Sequence, residues 1–291
     1  MGIGWLAIYM SKPMTHSYNP IRADHPNIDE VYPASMRSLV IESHGANLNG
    51  MIYLAAGAEL HPTVILLHGF PGNERNLDIA QAIRRAGWNV VYFNFRGSWG
   101  SEGRYAQQHL VEDTLSVFEF LRSYVHEYRV DPKKIVLIGH SMGGAAALAA
   151  AIEESKIKYV ASLVGVNWDA WAVLKDESPV AFDALAAELD GDSAPLTGFD
   201  GKAFLMETSQ NQERYGVQSN VKKLANRQIM LVGGKRDHII PIHEHHYPIA
   251  QALREENADG ITLHLLDDDH AFSNTRIALT ELILAWLATL L

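Results

Sequence analysis

The stretch Ile135-Val-Leu-Ile-Gly-His-Ser-Met-Gly-Gly144 places a serine between a strand-like and a helix-like segment. Its apolar run 135–138, rich in β-branched residues, predicts a buried strand. Gly139-His-Ser-Met-Gly143 fits the G-x-S-x-G pattern of a sharp strand-to-helix turn, and the alanine-rich run 145–151 favours helix. The alternative, a chance match in a loop, is disfavoured because a strand precedes the pattern and a helix follows it. We therefore expect Ser141 on strained backbone, with its hydroxyl held out at a sheet edge.

Strand-like and helix-like segments alternate along most of the chain. Six further segments are predicted as strands: 37–42, 48–54, 63–67, 89–95, 159–164 and 229–232, with an eighth strand at 261–266. The first two resemble a β-hairpin at a sheet edge, whereas the later ones are separated by helical patterns. This order predicts an α/β fold with a mostly parallel sheet and helices on both faces.

The domain organisation follows from the same pattern. Residues 1–36 carry four prolines without any period and are predicted to be an irregular lead-in. The core is expected to comprise residues 37–167 and 227–291. Between them, residues 168–226 show three helical patterns and are predicted to form a helical lid above the strand ends. A purely structural cap, with no role in substrate choice, is the alternative.

Composition narrows the class of partner. The chain has 291 residues, a net charge of −10 and 47% hydrophobic residues, which indicates an ordinary globular protein. The negative charge argues against nucleic acid or an anionic membrane as the main partner. Because the sequence contains no cysteine, disulfides, thiol catalysis and cysteine-ligated metals are excluded.

Neither end of the sequence predicts a membrane span. The apolar run 1–10 lacks the positive charge that opens a signal peptide and is too short to cross a bilayer. The apolar run 277–291 is also short, contains Glu281, and is expected to be a helix packed on the core. We therefore expect a cytoplasmic protein, and the oligomeric state stays open.

A serine becomes a nucleophile when a histidine takes its proton and a carboxylate orients that histidine. Two later loops offer these groups in the required chain order. Asp237 follows the strand at 229–232, and His270 follows the strand at 261–266. Both loops lie at carboxyl ends of strands, the edge where open α/β sheets place their sites.

From about residue 37 to 291 the chain resembles the α/β-hydrolase family. The resemblance rests on four signals in order: His68-Gly69 after a strand, the turn at Ser141, the Gly-rich loop of Asp237 that ends in Pro241, and Asp269-His270-Ala-Phe272. It implies an eight-stranded sheet and a catalytic triad of Ser141, Asp237 and His270. The branches it is closest to are serine esterases and the prolyl-oligopeptidase-like or dienelactone-hydrolase-like enzymes.

The resemblance also implies an oxyanion hole made by the backbone N–H groups of Phe70 and Met142. The short His68-Gly-Phe-Pro71 loop, in place of a longer glycine run, favours small acyl substrates. The expected activity is hydrolysis of small to medium carboxylic esters through an acyl-enzyme, without metal or organic cofactor. Phe204, Leu205 and Met206 either line an acyl pocket or form plain lid core.

Several residues compete for these roles. Asp169 also follows a strand and is the alternative acid. Asp267, Asp268 and Asp269 are expected to form a turn, and Arg96 to brace the oxyanion loop rather than bind substrate. His140 is expected to pack beside the serine. Three further histidines suggest a metal, but their spacing favours a solvated helix end instead: His243, His245 and His246.

Other activities remain open on the same triad, namely those of a peptidase or amidase, an acyltransferase, a perhydrolase or a carbon–carbon bond hydrolase. Dehalogenase and epoxide-hydrolase chemistry is disfavoured because the turn carries Ser141 where those enzymes use an aspartate. A ligand-sensing protein without catalysis is the alternative from another class.

Overall fold

One sheet of eight strands organises the part of the chain that the computed structural model describes, residues 18–256 and 258–291. The strands are β1 (Ser35–Ser43), β2 (Ala46–Leu54), β3 (His61–Leu67), β4 (Asn89–Phe93), β5 (Val130–His140), β6 (Tyr159–Leu163), β7 (Gln228–Gly234) and β8 (Ile261–Leu266). Their order is β1-β2-β4-β3-β5-β6-β7-β8. The pairs β1–β2 and β2–β4 are antiparallel and all others are parallel, so the predicted, mostly parallel eight-stranded sheet is confirmed.

Twelve helices occur in the described residues. They are α1 (Leu77–Arg85), α2 (Gln107–Ser123), α3 (Val125–Tyr128), α4 (Met142–Glu153), α5 (Trp168–Ala172), α6 (Leu174–Glu177), α7 (Pro179–Gly191), α8 (Gly201–Gln210), α9 (Gln212–Tyr215), α10 (Val217–Leu224), α11 (His246–Glu256) and α12 (Arg276–Ala288). A short 3-10 turn, Ala258–Gly260, precedes β8.

The core lies on both faces of the sheet. Along β3, Ile65 and Leu67 point into the cluster shared with α2 and α4, whereas Val64 and Leu66 point into the cluster shared with α1 and α12. Successive strand side chains alternate between faces, so a strand covered on both sides is apolar throughout. This explains the unbroken apolar run before Ser141 and confirms the predicted helices on both faces.

Seven of the eight strands have at least one end that differs from the prediction, most by one or two residues, and two of the differences have a visible cause. β1 begins at Ser35, inside the predicted lead-in, and β5 begins at Val130, five residues before its apolar run. Val130 pairs with His61 of β3 before the register shifts, and the polar residues 131–134 hide this early pairing from a hydrophobic pattern. The predicted run 1–10 lies outside the described residues.

The segment 168–226 forms six helices between β6 and β7. The three predicted helices correspond to α7, α8 and α10, and α7 begins at Pro179 directly after Ser178, as expected. Helices α5, α6 and α9 have four or five residues each and are too short to show a helical period. We call residues 168–226 the insertion; its role as a lid stays a prediction.

Within the described part of the chain, no helix has both the length and the apolar character needed to cross a membrane. The cytoplasmic location stays a prediction.

Candidate active site

Ser141 occupies a strained turn between β5 and α4. Its φ of 54° and ψ of −118° lie outside the regions that non-glycine residues normally adopt. Four backbone hydrogen bonds hold this conformation. The Ser141 N–H donates to the carbonyl of Leu163 at 2.8 Å, and the Ser141 carbonyl accepts the N–H groups of Gly144, Ala145 and Val166 at 2.9, 3.3 and 3.2 Å. The predicted strand–turn–helix with strain at the serine is therefore present.

The flanking glycines make this turn possible. A Cβ on Gly139 would lie 2.0 Å from the carbonyl oxygen of Gly143, and a Cβ on Gly143 would lie 2.2 Å from the carbonyl oxygen of Leu67. Both are backbone atoms that cannot swing away. The two glycines of the G-x-S-x-G pattern are therefore required by close packing between the turn and β3.

The loop after β3, residues 68–71, runs directly against Ser141. We call it the oxyanion loop, because it carries the predicted donor Phe70. A Cβ on Gly69 would lie 2.9 Å from the Ser141 Cβ, so only a glycine allows this approach. Phe70 is the next residue of that loop. Met142 is the first residue of α4, where backbone N–H groups have no partner within the helix. The two predicted oxyanion donors thus belong to segments that meet at Ser141, and their role stays a prediction.

His68 braces this loop, a role that the sequence did not reveal. Its Nδ1 donates to the Gly69 carbonyl at 2.7 Å, and its Nε2 accepts the Phe95 N–H at 3.3 Å. The Ser98 hydroxyl, which donates to the Phe95 carbonyl at 2.7 Å, lies 3.2 Å from the same Nε2. Burial lowers the pKa of His68 to about 4, so the ring is neutral at pH 7. The predicted brace was Arg96, and that prediction is wrong.

Arg96 is buried in an ion-pair network instead. Its Nε lies 2.6 Å from Asp113 and its guanidinium also bonds Glu112, and both carboxylates belong to α2. Asp113 further accepts the Arg96 N–H and the Ser43 hydroxyl. A buried arginine needs such partners because an unpaired charge is costly. The arginine is structural, as expected, but it joins the loop after β4 to α2 rather than to the oxyanion loop.

Asp237 and His270 meet at the carboxyl edge of the sheet. The His270 Nδ1 lies 2.7 Å from Asp237 Oδ2. The other carboxylate oxygen, Oδ1, accepts the backbone N–H groups of Ile239 and Ile240 at 2.9 and 2.8 Å. Asp237 is buried, and it can orient the imidazole because its own position is fixed by these two bonds.

The alternative acid, Asp169, faces a different neighbourhood. Its Oδ2 accepts the backbone N–H of Gln218, and its Oδ1 packs against Gly216, where a Cβ would lie 2.1 Å away. Burial raises the pKa of Asp169. Asp169 lies in α5, and Gly216 and Gln218 lie at the start of α10, so Asp169 joins two helices of the insertion.

The acidic run before His270 divides its tasks. Asp269 accepts the backbone N–H groups of Ala271 and Ser273, as expected of a turn former. Asp268 is buried and accepts hydrogen bonds from Asn274 and Thr275, which fixes the histidine loop to the start of α12. Asp267 is exposed and lies 3.3 Å from Arg236.

The prediction of a solvated helix end is wrong for His245 and His246, although His243 is exposed. The His245 Nδ1 accepts the Asn167 N–H at 3.0 Å. His246 packs over Gly233, where a Cβ would come within 3.1 Å of its ring. Burial lowers the pKa of both rings to about 4. No group of side chains in the described residues could hold a metal ion.

One of the three predicted pocket residues, Phe204, is linked to Phe70 through one intervening aromatic ring. Phe204 and Leu205 of α8 are buried, and Met206 is half-buried. The Phe204 ring stacks on Tyr105 with centroids 6.1 Å apart and lies 5.7 Å from Phe199, whose ring is 4.9 Å from Phe70. Phe199 and Tyr105 carried no sequence signal. Whether these side chains bind substrate stays a prediction.

The insertion docks on the loop after β4. The Thr197 N–H donates to the Gly97 carbonyl at 2.7 Å, and the Tyr105 N–H donates to the Thr197 carbonyl at 3.0 Å. Trp99 belongs to the same loop, and its Nε1 donates to the carbonyl of Pro71 at 2.8 Å. The loop after β4 therefore touches both the insertion and the oxyanion loop.

A cavity of about 450 Å³ lies elsewhere, at the amino-terminal end of β3. Its lining includes His61 at the start of β3, Arg85 at the end of α1, Gly87 just after that helix, and Tyr18 and Asp29 in the lead-in. The carboxyl ends of the parallel strands, where Ser141 lies, form one edge of the sheet, and their amino ends form the opposite edge. The cavity lies at the amino-terminal edge, so it does not belong to the Ser141 site.

Comparisons with known proteins agree on the fold. The family model described as alpha/beta hydrolase fold matches residues 62–195. Among curated proteins, YfhR of Salmonella typhimurium strain LT2, named as an uncharacterized protein, is 26% identical over 219 residues, which cover 72% of this chain and 65% of YfhR. Rv2307c of Mycobacterium tuberculosis strain H37Rv, also named as uncharacterized, is 30% identical over 47% of this chain and 48% of its own. The chain thus spans about half to two thirds of the length of these relatives.

Among solved structures, the enol-lactonase of Burkholderia xenovorans LB400 has a TM-score of 0.60 at 16% identity, over 87% of this chain and all of its own. The acylaminoacyl peptidase of Pyrococcus horikoshii has a TM-score of 0.67 at 18% identity, over 88% of this chain and 41% of its own. These similarities establish the fold.

Proposed function

We propose that the chain, which has the α/β-hydrolase fold, is a serine hydrolase that cleaves small to medium carboxylic esters through an acyl-enzyme. The observation that carries the proposal is the 2.7 Å hydrogen bond between Asp237 and His270 at the sheet edge where the strained Ser141 turn lies. An acid and a histidine fixed beside a strained serine support nucleophilic catalysis.

In the proposed reaction, Asp237 accepts the Nδ1–H of His270, which leaves the Nε2 lone pair free. That nitrogen takes the Ser141 proton while the Ser141 oxygen attacks the ester carbonyl. The N–H groups of Phe70 and Met142 stabilise the resulting oxyanion. His270 then gives its proton to the leaving alcohol, and a water molecule that His270 deprotonates releases the acid.

The surroundings favour apolar substrates of limited size. Phe70 of the oxyanion loop is in contact with an aromatic group formed by Tyr105, Phe199 and Phe204. Such a wall binds the apolar part of an ester through burial, which contributes about 25 cal/mol per Å². The Ser141 residue is only 6% exposed, which leaves little room for a bulky alcohol portion.

Fold alone does not choose between an ester and an amide. Similar structures include an enol-lactonase and an acylaminoacyl peptidase. An amide requires the same triad to protonate a poorer leaving group. The substrate panel therefore needs both bond types with the same acyl group, together with an alcohol acceptor that would reveal acyl transfer.

The test combines active-site labelling with turnover. The control is Ser116→Ala, because Ser116 lies on α2 and its hydroxyl bonds Ser43. A fluorophosphonate probe should label the wild type and Ser116→Ala, but not Ser141→Ala. The p-nitrophenyl esters from acetate to dodecanoate should be hydrolysed, with shorter chains preferred and the matched anilides slower. Labelling of Ser141→Ala at the wild-type rate would refute the proposal. If no ester or anilide is turned over while one of them raises the melting temperature, the protein is a ligand sensor.

A further inference from the structure

His140, the residue before Ser141, contacts the predicted catalytic histidine through the main chain. Its Nε2 lies 2.8 Å from the carbonyl oxygen of His270. A carbonyl can only accept a hydrogen bond, so Nε2 carries the proton and donates. The two rings lie 5.0 Å apart between centroids at an interplanar angle of 60°.

This hydrogen bond fixes the state of the ring. Because Nε2 is protonated and the ring is neutral, Nδ1 has a lone pair, and it is buried without a hydrogen-bond partner among the described residues. Burial and the neighbouring His270 lower the pKa of His140 to about 3, which keeps the ring neutral at working pH. The neutral His140 ring therefore donates one hydrogen bond to the His270 carbonyl and does not act as a base.

The opposite edge of the His140 ring faces the oxyanion loop. A Cβ on Gly69 would lie 3.2 Å from His140 Nδ1 and 3.1 Å from the His140 carbonyl oxygen. The ring therefore packs between the loop that carries Phe70 and the loop that carries His270. Because His140 directly precedes Ser141 in the chain, its ring connects both loops to the serine turn.

We propose that His140 is a positioning residue that holds His270 in register with Ser141 and the oxyanion loop. The inference rests on the proposed function, because the alignment matters only if Ser141 and His270 react. Asp237 fixes the rotation of the His270 ring at Nδ1, and Asp268 fixes the far end of its loop. The hydrogen bond from His140 is the contact that ties the His270 backbone to the serine turn.

The expected size of the effect follows from alignment. A shift of about 1 Å between a nucleophile and its base costs about 100-fold in rate, so loss of the His140 donor should lower kcat by about tenfold to 100-fold. KM should stay nearly unchanged, because His140 is not among the aromatic side chains proposed to bind the ester.

Three variants separate positioning from packing. His140→Phe keeps the ring shape but removes the donor, whereas His140→Gln places an amide N–H near the position of Nε2. His61→Phe is the matched control, because His61 is also buried and its Nδ1 lies 3.0 Å from a backbone carbonyl, that of Gly87, at the other end of β3. If His140→Phe does not fold, His140→Asn replaces it, with an amide one methylene too short to reach.

Two readouts are measured for each variant. The first is kcat and KM on a p-nitrophenyl ester. The second is the downfield proton resonance of the His270 Nδ1–H, recorded in the Ser141→Ala background, which reports the His270–Asp237 bond without any turnover. We expect His140→Phe to lose kcat and to shift or lose the resonance, His140→Gln to restore both, and His61→Phe to change only the melting temperature.

The proposal is overturned if His140→Phe keeps the wild-type kcat, or if kcat falls while the resonance is unchanged. It is also overturned if His140→Gln is as impaired as His140→Phe although both are folded. Failure of the proposed function is a separate result, in which Ser141→Ala still hydrolyses the ester, and the resonance then still tests the His140 contact on its own.

Discussion

Replacing Asp237 with asparagine changes one oxygen of the site to an NH₂ group, and the structure fixes where that group points. Asp237 Oδ1 accepts two backbone N–H groups, from Ile239 and Ile240, whereas Oδ2 accepts a single hydrogen bond from the described residues, that of the His270 Nδ1–H. With its NH₂ group toward the two backbone donors, the asparagine would lose both hydrogen bonds, each worth about 1 kcal/mol and more if its donor stays buried. The asparagine oxygen therefore stays at Oδ1 and its NH₂ group faces His270.

That orientation forces the wrong tautomer on His270. An NH₂ group 2.7 Å from Nδ1 can only donate, so Nδ1 must become the acceptor and the proton moves to Nε2. A protonated Nε2 cannot take the Ser141 proton. The corresponding substitution in a Ser-His-Asp triad lowers kcat by about 10⁴, which equals about 5.4 kcal/mol of transition-state stabilisation, and we expect the same size here.

The assay is kcat and kcat/KM on a p-nitrophenyl ester at pH 7.5, with the melting temperature measured in parallel. Asp237→Asn should melt within a few degrees of the wild type, because both backbone hydrogen bonds survive. Asp169→Asn is the matched control, since Asp169 is also buried and also accepts a backbone N–H. It should keep nearly full activity. An Asp237→Asn variant with more than about a tenth of wild-type kcat refutes the tautomer argument, which requires a loss of about 10⁴.

Three further predictions rest on other contacts. Ser141→Gly and Ser141→Ala should both be inactive, but Ser141→Gly should be more stable by about 1 kcal/mol, because glycine relieves strain of about 1–3 kcal/mol at φ 54° and gives back about 0.5–1 kcal/mol as backbone entropy; calorimetry that finds the alanine variant equally stable contradicts this. Burial lowers the folded-state pKa of His245 to about 4, so its stabilising contribution is complete above pH 6.5 and is lost as pH falls toward 4, by about 2 kcal/mol at pH 5. Urea unfolding of wild type and His245→Gln at pH 7.5 and 5.0 should therefore show a smaller loss of stability in the variant, and equal losses would count against a buried neutral ring. Trp99→Phe removes the hydrogen bond to Pro71, worth about 1 kcal/mol, and should slow fluorophosphonate labelling about fivefold, while Tyr124→Phe, a remote and exposed control, should not.

The parts of the site that the sequence predicted are those with strong local constraints. Residues 135–144 alone predict the G-x-S-x-G turn. The turn requires glycine at 139 and 143, because both positions face backbone atoms at close range. Asp237 and His270 could be chosen because both follow strongly apolar strands, and the order of parallel strands brings their ends to one edge. The β-sheet was predictable because most of its strands are apolar runs separated by helical patterns.

Long-range contacts between loops were not predictable. His68 contacts Ser98, and Trp99 donates to the carbonyl of Pro71; in each pair the two residues are about 30 positions apart in the chain. A local sequence pattern does not predict contacts over that separation. His245 and His246 were expected to be solvated because they precede a helix in a polar stretch. Gly233 leaves room for His246 against β7, and the β6 end offers His245 an N–H donor. Both facts depend on how the strands are ordered.

These supporting contacts bear on the choice between an enzyme and a sensor. Each part of the proposed site is anchored by a residue that is not one of the proposed reacting groups: the Ser141 turn by Val166, the oxyanion loop by His68, and the His270 loop by Asp268. A protein that only binds a ligand gains nothing from holding strained backbone at a serine, since such strain costs about 1–3 kcal/mol. Strain retained at Ser141 together with a fixed His270 tautomer is the arrangement that acyl transfer needs, and it favours catalysis over sensing.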